Sequence, residues 1–381
     1  MEGPFIMTMA RVEQQGVRIL VRGTNWIGDA VMSTPALRHL RERFPEAEIV
    51  LLATPLTEDL FTDCPWIDHF LPYRRREEGW RAFVRMVQHL RRDRFDIAIL
   101  FQNAIEAALL TWLAGIPQRV GYQAEGRGRL LTKQLRRGPQ HRDRHQIYDY
   151  LDLVDAGEAI LKGDRPSEGT LGSSPMLLPE LNVGEGARAQ ATSQLLPLGI
   201  TDGGGPRIAL NVGATNSRAK CWPTNHYAAL ADWLVKTFGA TILLTGGPSE
   251  RAAAAAVMAE MGHVKHAFNL AGETSLPVLL GILETCALII SNDTGPAHIA
   301  AALGRPVLTL FGPTNEWETA PRGKWATLLR AEDIACARCM HRDCPIDHRC
   351  MTQLTVEMVQ ERVTILLAET GLPASAFGEA P

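Results

Sequence analysis

Short apolar runs alternate along the chain with longer segments in which apolar residues return every three or four positions. Residues 17–22 (VRILVR), 48–53 (EIVLLA) and 96–100 (DIAIL) are strand-sized. Residues 29–44 carry helical spacing and stop before Pro45, and a charged helix is predicted over 81–92. Alternation of this kind requires a parallel sheet covered on both faces. The rhythm fails over 157–186, a Gly-, Pro- and Ser-rich stretch that predicts a linker. It then restarts, with strands at 208–212, 241–245, 288–291 and 307–311 and helices at 224–238, 249–261, 276–285, 297–303 and 355–369. The predicted organisation is a disordered extension over 1–16 and a first domain over 17–185 whose linker begins near 157. A second domain follows over 186–354, then a final helix and tail over 355–381.

Length agrees, since 381 residues suit two domains of roughly 150 to 200 residues better than one core. The apolar (46%) and charged (21%) fractions and a mean hydropathy of −0.05 are those of an ordinary globular chain. No apolar run approaches the roughly 20 residues of a spanning helix. The first residues, with Glu2 and Glu13, lack the basic start and apolar run of a secretory signal. The seven cysteines then read as reduced thiols or metal ligands, and a cytoplasmic location is expected.

Net charge is only −3, but between Leu71 and His145 there are 16 Lys and Arg against 7 Asp and Glu. One explanation is a solvated face. The other is a landing site for a phosphorylated acceptor or an anionic membrane surface, where each nearby cation adds about 1 kcal/mol. Aromatic residues do not interleave with this stretch, so no nucleic acid partner is expected.

Two regions carry candidate chemistry. The first is the turn Gly23 to Asp29 after the opening strand, at the sheet edge where open parallel sheets bind ligands. Its spacing is not the G-x-G-x-x-G of dinucleotide folds. Asp29 is either a helix cap, contributing about 1 kcal/mol, or a general base for an acceptor hydroxyl. The second is a pair of polar turns. Asn211 to Ser217 with Lys220 offers N–H and hydroxyl donors beside a point charge, as a diphosphate requires. Ser291 to His298 opens a helix whose start, at Thr294 and Gly295, suits a phosphate, while Asp293 suits sugar or ribose hydroxyls. His298 is either a core histidine or a further phosphate contact.

These motifs also carry a resemblance. The run NWIGDAVMSTPAL (25–37), Gly213-Ala214 with KCWP (220–223), NDTGPAHIAAALGRP (292–306) and LFGPT (310–314) resemble, in order, the signatures of the ADP-heptose:lipopolysaccharide heptosyltransferases, glycosyltransferase family 9. Gly121-Tyr122, Arg127, Leu130 to Thr132 and His145 to Leu153 look most like the branch that adds the second core heptose. The resemblance implies a GT-B fold: two Rossmann-like α/β domains facing a cleft, the acceptor on the first, ADP-heptose on the second, and the last helix returning to the first. It implies an inverting transfer without a metal or other cofactor. It places the base at Asp29, the phosphate lysine at Lys220, polar phosphate contacts at Thr215 and Asn216, an acid against the nucleoside at Glu250, and a donor-binding acid at Asp293. The helix start, Thr294 and Gly295, and His298 complete the donor set, while Asn25, Trp26 and Arg127 are acceptor candidates. The implied partners are ADP-heptose, a lipid A-Kdo-heptose acceptor and the anionic inner face of the cytoplasmic membrane. A relative with another acceptor, a nucleotide-sugar epimerase of similar build, or a non-catalytic binding protein are the alternatives.

Cys336, Cys339, Cys344 and Cys350 give C-x₂-C-x₄-C-x₅-C, with His341 and His348 nearby. Four thiolates can hold zinc tetrahedrally, but paired CxxC knuckles are lacking and buried free thiols are the default expectation.

Overall fold

The computed structural model describes residues 16–138, 141, 143–164, 177–201 and 203–370. The chain forms two compact units that part between Leu177 and Leu178. The predicted extension over 1–16, except Gly16, the middle of the predicted linker and the end of the tail lie outside the described residues.

In the first unit, β1 (Arg18–Arg22), β2 (Glu48–Ala53), β3 (His69–Pro72), β4 (Ile97–Leu100), β5 (Gln118–Tyr122) and β6 (Lys133–Leu135) form one sheet in the order β3-β2-β1-β4-β5-β6. Every neighbouring pair is parallel. The central strands read Ile19-Leu20-Val21 and Ile97-Ala98-Ile99-Leu100, all without solvent exposure, because helices cover both faces. These are α1 (Ile27–Arg43), α2 (Trp80–Asp93), α3 (Ile105–Leu113) and α4 (Gln146–Leu161). α1 and α4 pack together, and His39 Nε2 meets Asp155 at 2.8 Å.

The second unit repeats the plan. β7 (Arg207–Asn211), β8 (Thr241–Thr245), β9 (Ala267–Asn269), β10 (Leu288–Asn292), β11 (Val307–Phe311) and β12 (Ala326–Arg330) run in the order β12-β11-β10-β7-β8-β9, again all parallel. Counted within the unit this is the doubly wound 3-2-1-4-5-6 arrangement, as in the first. Strand order therefore reverses between β1 and β4, and between β7 and β10, and the carboxyl ends there are where such sheets bind ligands. The flanking helices are α5 (Glu185–Leu195), α6 (Thr224–Phe238), α7 (Arg251–Glu260), α8 (Leu276–Thr285), α9 (Gly295–Ala302) and α10 (Val356–Glu369).

Three features differ from the sequence expectation. α4 continues to Leu161, through the predicted start of the linker. Gly157 is a packing residue there, since a Cβ on it would meet the Ile99 side chain at 3.0 Å. The segment before residue 186 belongs to the second unit: Leu181 and Val183 are buried, and the Leu181 N–H donates to the Ala302 carbonyl at 3.2 Å. The last helix, expected to return to the first domain, buries Val359, Val363, Leu366 and Leu367 in the core that holds Trp222, Tyr227 and Leu310 of the second unit. An apolar stripe binds whichever core it completes, and the sequence does not say which.

Candidate functional site

In the first unit the chain leaves β1 through Gly23 and enters α1 at Ile27, two residues before the predicted start. Trp26, not Asp29, occupies the N-cap position, and Asp29 falls at the third helical position of the first turn. Negative charge is favoured at this place, where the N–H groups of the first turn lack helical partners. Asp29 is half-buried and accepts a hydrogen bond from Gln146 Nε2 at 3.4 Å. Gln146 opens α4, and its Nε2 also donates to the Tyr150 hydroxyl. Burial first, and the Asp29 charge second, push the Tyr150 hydroxyl well above its ordinary range, so Tyr150 stays a neutral neighbour. Gln146 and Tyr150 lie inside the motif His145 to Leu153, yet no property of the sequence singles them out as partners of Asp29.

The acceptor candidates part company. Trp26 is 41% exposed and carries the Arg76 guanidinium over its ring at 5.3 Å. Asn25 is half-buried and takes a long 3.4 Å bond from Arg22. Arg127 corrects the expectation. It is fully buried, and its guanidinium donates to the carbonyls of Tyr122, Gln102 and Ala104 and to Asn103 Oδ1. Burial pulls its pKa down to about 10. Arg127 is therefore a strut tying the ends of β4 and β5 together, with its donors spent on three backbone carbonyls and the Asn103 side chain.

Arg22, which sequence reasoning passed over, is the other buried cation of this edge. It donates to the Gly23 and Leu52 carbonyls, lies over the Tyr73 ring at 5.5 Å, and is lowered to about 10 by desolvation.

In the second unit the donor candidates gather where β7 and β10 end. Lys220 Nζ lies 2.9 Å from Asp293 Oδ2 and 3.0 Å from the Asp293 carbonyl, and the Thr314 hydroxyl donates to the same Oδ2 at 2.7 Å. Asn292, without exposure, ties three segments together. Its Oδ1 accepts from the Trp222 N–H and the Tyr227 hydroxyl, both at 3.1 Å, and its amide donates to the Val212 carbonyl at 2.9 Å. Thr294 is the N-cap residue of α9, Gly295 is the first helical residue, and the Thr294 hydroxyl accepts from Asn211 at 2.8 Å. His298, one turn in, is 5% exposed; burial lowers its pKa to about 4 despite the Asp293 charge, so its ring is neutral near pH 7.

Glu250 is built in by glycine. A Cβ on Gly213 would come within 2.5 Å of its side chain and one on Gly246 within 2.7 Å. Its carboxylate accepts the Gly247 N–H at 2.7 Å and the Thr215 hydroxyl at 3.2 Å. Thr215 and Asn216 are exposed on the same loop, and Asn216 makes no hydrogen bond among the described residues.

The seven cysteines are all free thiols. Cys336, Cys339 and Cys344 lie near enough to Cys350 to add to the burial that pushes its thiol up to about 11, but among the described residues no three of these sulfurs come together within coordinating reach. Among the described residues the group that does is His141, Asp149 and Asp152. Those carboxylates are already paired, Asp149 with Arg137 at 2.6 Å and Asp152 with the two terminal guanidinium nitrogens of Arg144.

The comparisons agree on one family. The profile of glycosyltransferase family 9 (heptosyltransferase) matches residues 83–349. The chain belongs to glycosyltransferase family 9. Lipopolysaccharide heptosyltransferase 2 of Escherichia coli is 32% identical over 321 residues, 82% of this chain and 88% of that one. Lipopolysaccharide heptosyltransferase 2 of Salmonella typhimurium is 30% identical, over 93% of this chain and all of that one. The solved structure of E. coli ADP-heptose LPS heptosyltransferase II superposes with a TM-score of 0.76 at 28% identity, covering 93% of this chain and 99% of that one. The chain is thus a glycosyltransferase with the GT-B pair of Rossmann-like sheets, and the epimerase alternative loses its support. The enzyme has, among the described residues, no helix long and apolar enough to cross a membrane.

Proposed function

We propose that the enzyme transfers L-glycero-D-manno-heptose from ADP-heptose to the heptose of the lipopolysaccharide inner core. The observation that carries the reading is the grip of Asp293, Thr314 and Asn292 on the Lys220 loop at the strand-order reversal of the second sheet. This sets a cation beside the start of α9, an arrangement made for a diphosphate. In this reading Lys220, Thr215, Asn216, Thr294 and Gly295 hold the diphosphate, Glu250 the nucleoside and Asp293 the sugar, with neutral His298 behind them. As the acceptor oxygen bonds to the anomeric carbon from the face opposite ADP, the bond from that carbon to the β-phosphate oxygen breaks. ADP leaves with the electron pair, its growing charge offset by Lys220, while Asp29 takes the hydroxyl proton. A carboxylate can do this because the hydroxyl becomes acidic only as the new bond forms.

The acceptor on this reading is lipid A-Kdo-heptose, reached by a cytoplasmic enzyme held peripherally at the anionic inner face of the membrane. Support comes from the basic excess between Leu71 and His145 and from Trp80, 68% exposed at the start of α2 between exposed Arg76 and Arg81.

Incubation with ADP-heptose and an acceptor ending in a single heptose tests the proposal. ADP release is expected only with that acceptor, and is expected to survive EDTA. Equal turnover with an acceptor ending in Kdo, or release without any acceptor, would overturn it.

A further inference from the structure

The cysteine-rich segment 336–350 takes no part in the donor contacts described above, yet it grips the loop that carries Lys220. Ala219, buried and next to Lys220, is held on both sides: its N–H donates to the Arg342 carbonyl at 2.9 Å, and its carbonyl lies 2.7 Å from His348 Nε2. The Ser217 hydroxyl donates to the same Arg342 carbonyl at 3.1 Å, and the Arg218 guanidinium pairs with Asp343 at 2.8 Å. On the other side of Lys220, the Trp222 indole donates to the Leu354 carbonyl at 2.7 Å. Lys220 is thus suspended between two anchors, both fastened to the segment 342–354.

His348 is the side chain on which the first anchor turns. A carbonyl only accepts, so Nε2 is the donor of this hydrogen bond. His348 adopts the left-handed backbone conformation, φ 57°, uncommon for a residue other than glycine. Its N–H donates to Cys344 Sγ at 3.3 Å, and its carbonyl accepts from Met351 at 2.9 Å and Thr352 at 3.1 Å. The turn is therefore fixed by its neighbours, with the ring directed at Ala219.

We propose that His348 is a positioning residue for Lys220: by holding the Ala219 carbonyl it fixes the direction in which the lysine leaves the loop, and the cysteine-rich segment exists to present it. The inference rests on the reading of Lys220 as the cation on the donor diphosphate.

The test is a double-mutant cycle in the full-length enzyme, scored as kcat/KM for ADP-heptose, with deuterium uptake of the peptide spanning 215–221 as an independent readout. His348→Asn tolerates the left-handed backbone but is too short to reach Ala219, whereas His348→Gln can still present an N–H there. Losing one such hydrogen bond corresponds to about a tenfold fall for His348→Asn, with His348→Gln within about threefold of the parent. Uptake at 215–221 is expected to rise in the first variant and not the second. The decisive result is non-additivity: in a Lys220→Ala background, His348→Asn should have no further effect. A full additional loss there, or unchanged exchange at 215–221, overturns the proposal while leaving the reading of Lys220 intact. A Lys220→Ala enzyme of undiminished kcat/KM overturns that reading, and this inference with it.

Discussion

Asp293 holds Lys220 by two atoms at once, its carboxylate and its own backbone carbonyl, at 2.9 and 3.0 Å. The carboxylate is 4% exposed and the lysine 25%. The pair is therefore largely withdrawn from water, and on the proposed reading of Lys220 a donor phosphate would share a cation that is already oriented. Preorganisation of this sort keeps the cost of aiming the charge out of the reaction step.

Removing the acid should uncouple the lysine and leave a largely buried cation without its carboxylate. Asp293→Ala is expected to cost about 2 to 3 kcal/mol in urea unfolding, at or below the lower end for breaking a buried pair because Lys220 can turn outward to solvent. ADP affinity, read by calorimetry, should fall in the same variant. Undiminished affinity would show that the pair serves the fold alone.

His298 gives stability a pH dependence of known sign. Its pKa is about 4 in the native enzyme against an ordinary 6.5, because burial penalises the charged ring. Between these values the unfolded chain binds a proton that the native state refuses, so stability is complete above the ordinary value and falls as pH drops from 6.5 toward 4. At about 1.4 kcal/mol per pKa unit the loss is on the order of 3 kcal/mol. Urea midpoints of His298→Gln should be flatter over this window than those of the parent. Parallel curves for the two would remove His298 as the cause.

The fold was legible where burial is complete and the pattern uninterrupted. β1, β4, β7, β10 and β11 are continuous apolar runs because helices cover both their faces, and the sequence shows them as such. β3, β6, β9 and β12 lie toward or at the sheet edges, are short or only partly buried, and leave no such run. α4 shows no clean apolar stripe in the sequence because its buried face includes Asp149 and Asp152, whose charges are met by Arg137 and Arg144 from outside the helix. At the candidate site, the polar turns that carry Lys220, Asp293 and Glu250 are visible in the sequence, whereas the Lys220–Asp293 and Glu250–Gly247 contacts are visible only in the structure. Arg127 misled because an arginine in a basic stretch looks like a surface cation. Only its surroundings show that its donors are taken.

Gly213 should be intolerant of even one carbon. Gly213→Ala places a methyl group within 2.5 Å of the Glu250 side chain, which can swing away and lose its bonds to Gly247 and Thr215. Stability should change by about 1 kcal/mol or less, since a flexible chain absorbs the clash. The KM for ADP-heptose is expected to rise by a similar factor in Gly213→Ala and in Glu250→Ala, and the double variant should be no worse than either. Additive effects would mean that Gly213 serves the ligand directly.

Gln146 is expected to tune Asp29 without sharing in the chemistry. Gln146→Ala removes a long hydrogen bond to the carboxylate, and a fall in kcat of about threefold to tenfold is anticipated from its net strength. Donor KM should stay put, which a kinetic titration of ADP-heptose at saturating acceptor would check. A changed donor KM with constant kcat would place Gln146 on the donor side.

The account stands most directly on Asp29 as the proton acceptor. The measurement is kcat for heptose transfer by Asp29→Asn, taken beside its calorimetric affinity for ADP. The account predicts a fall of at least about 10²-fold in kcat with ADP affinity unchanged. Turnover within a few-fold of the parent, or a loss carried wholly by weaker ADP binding, would contradict it.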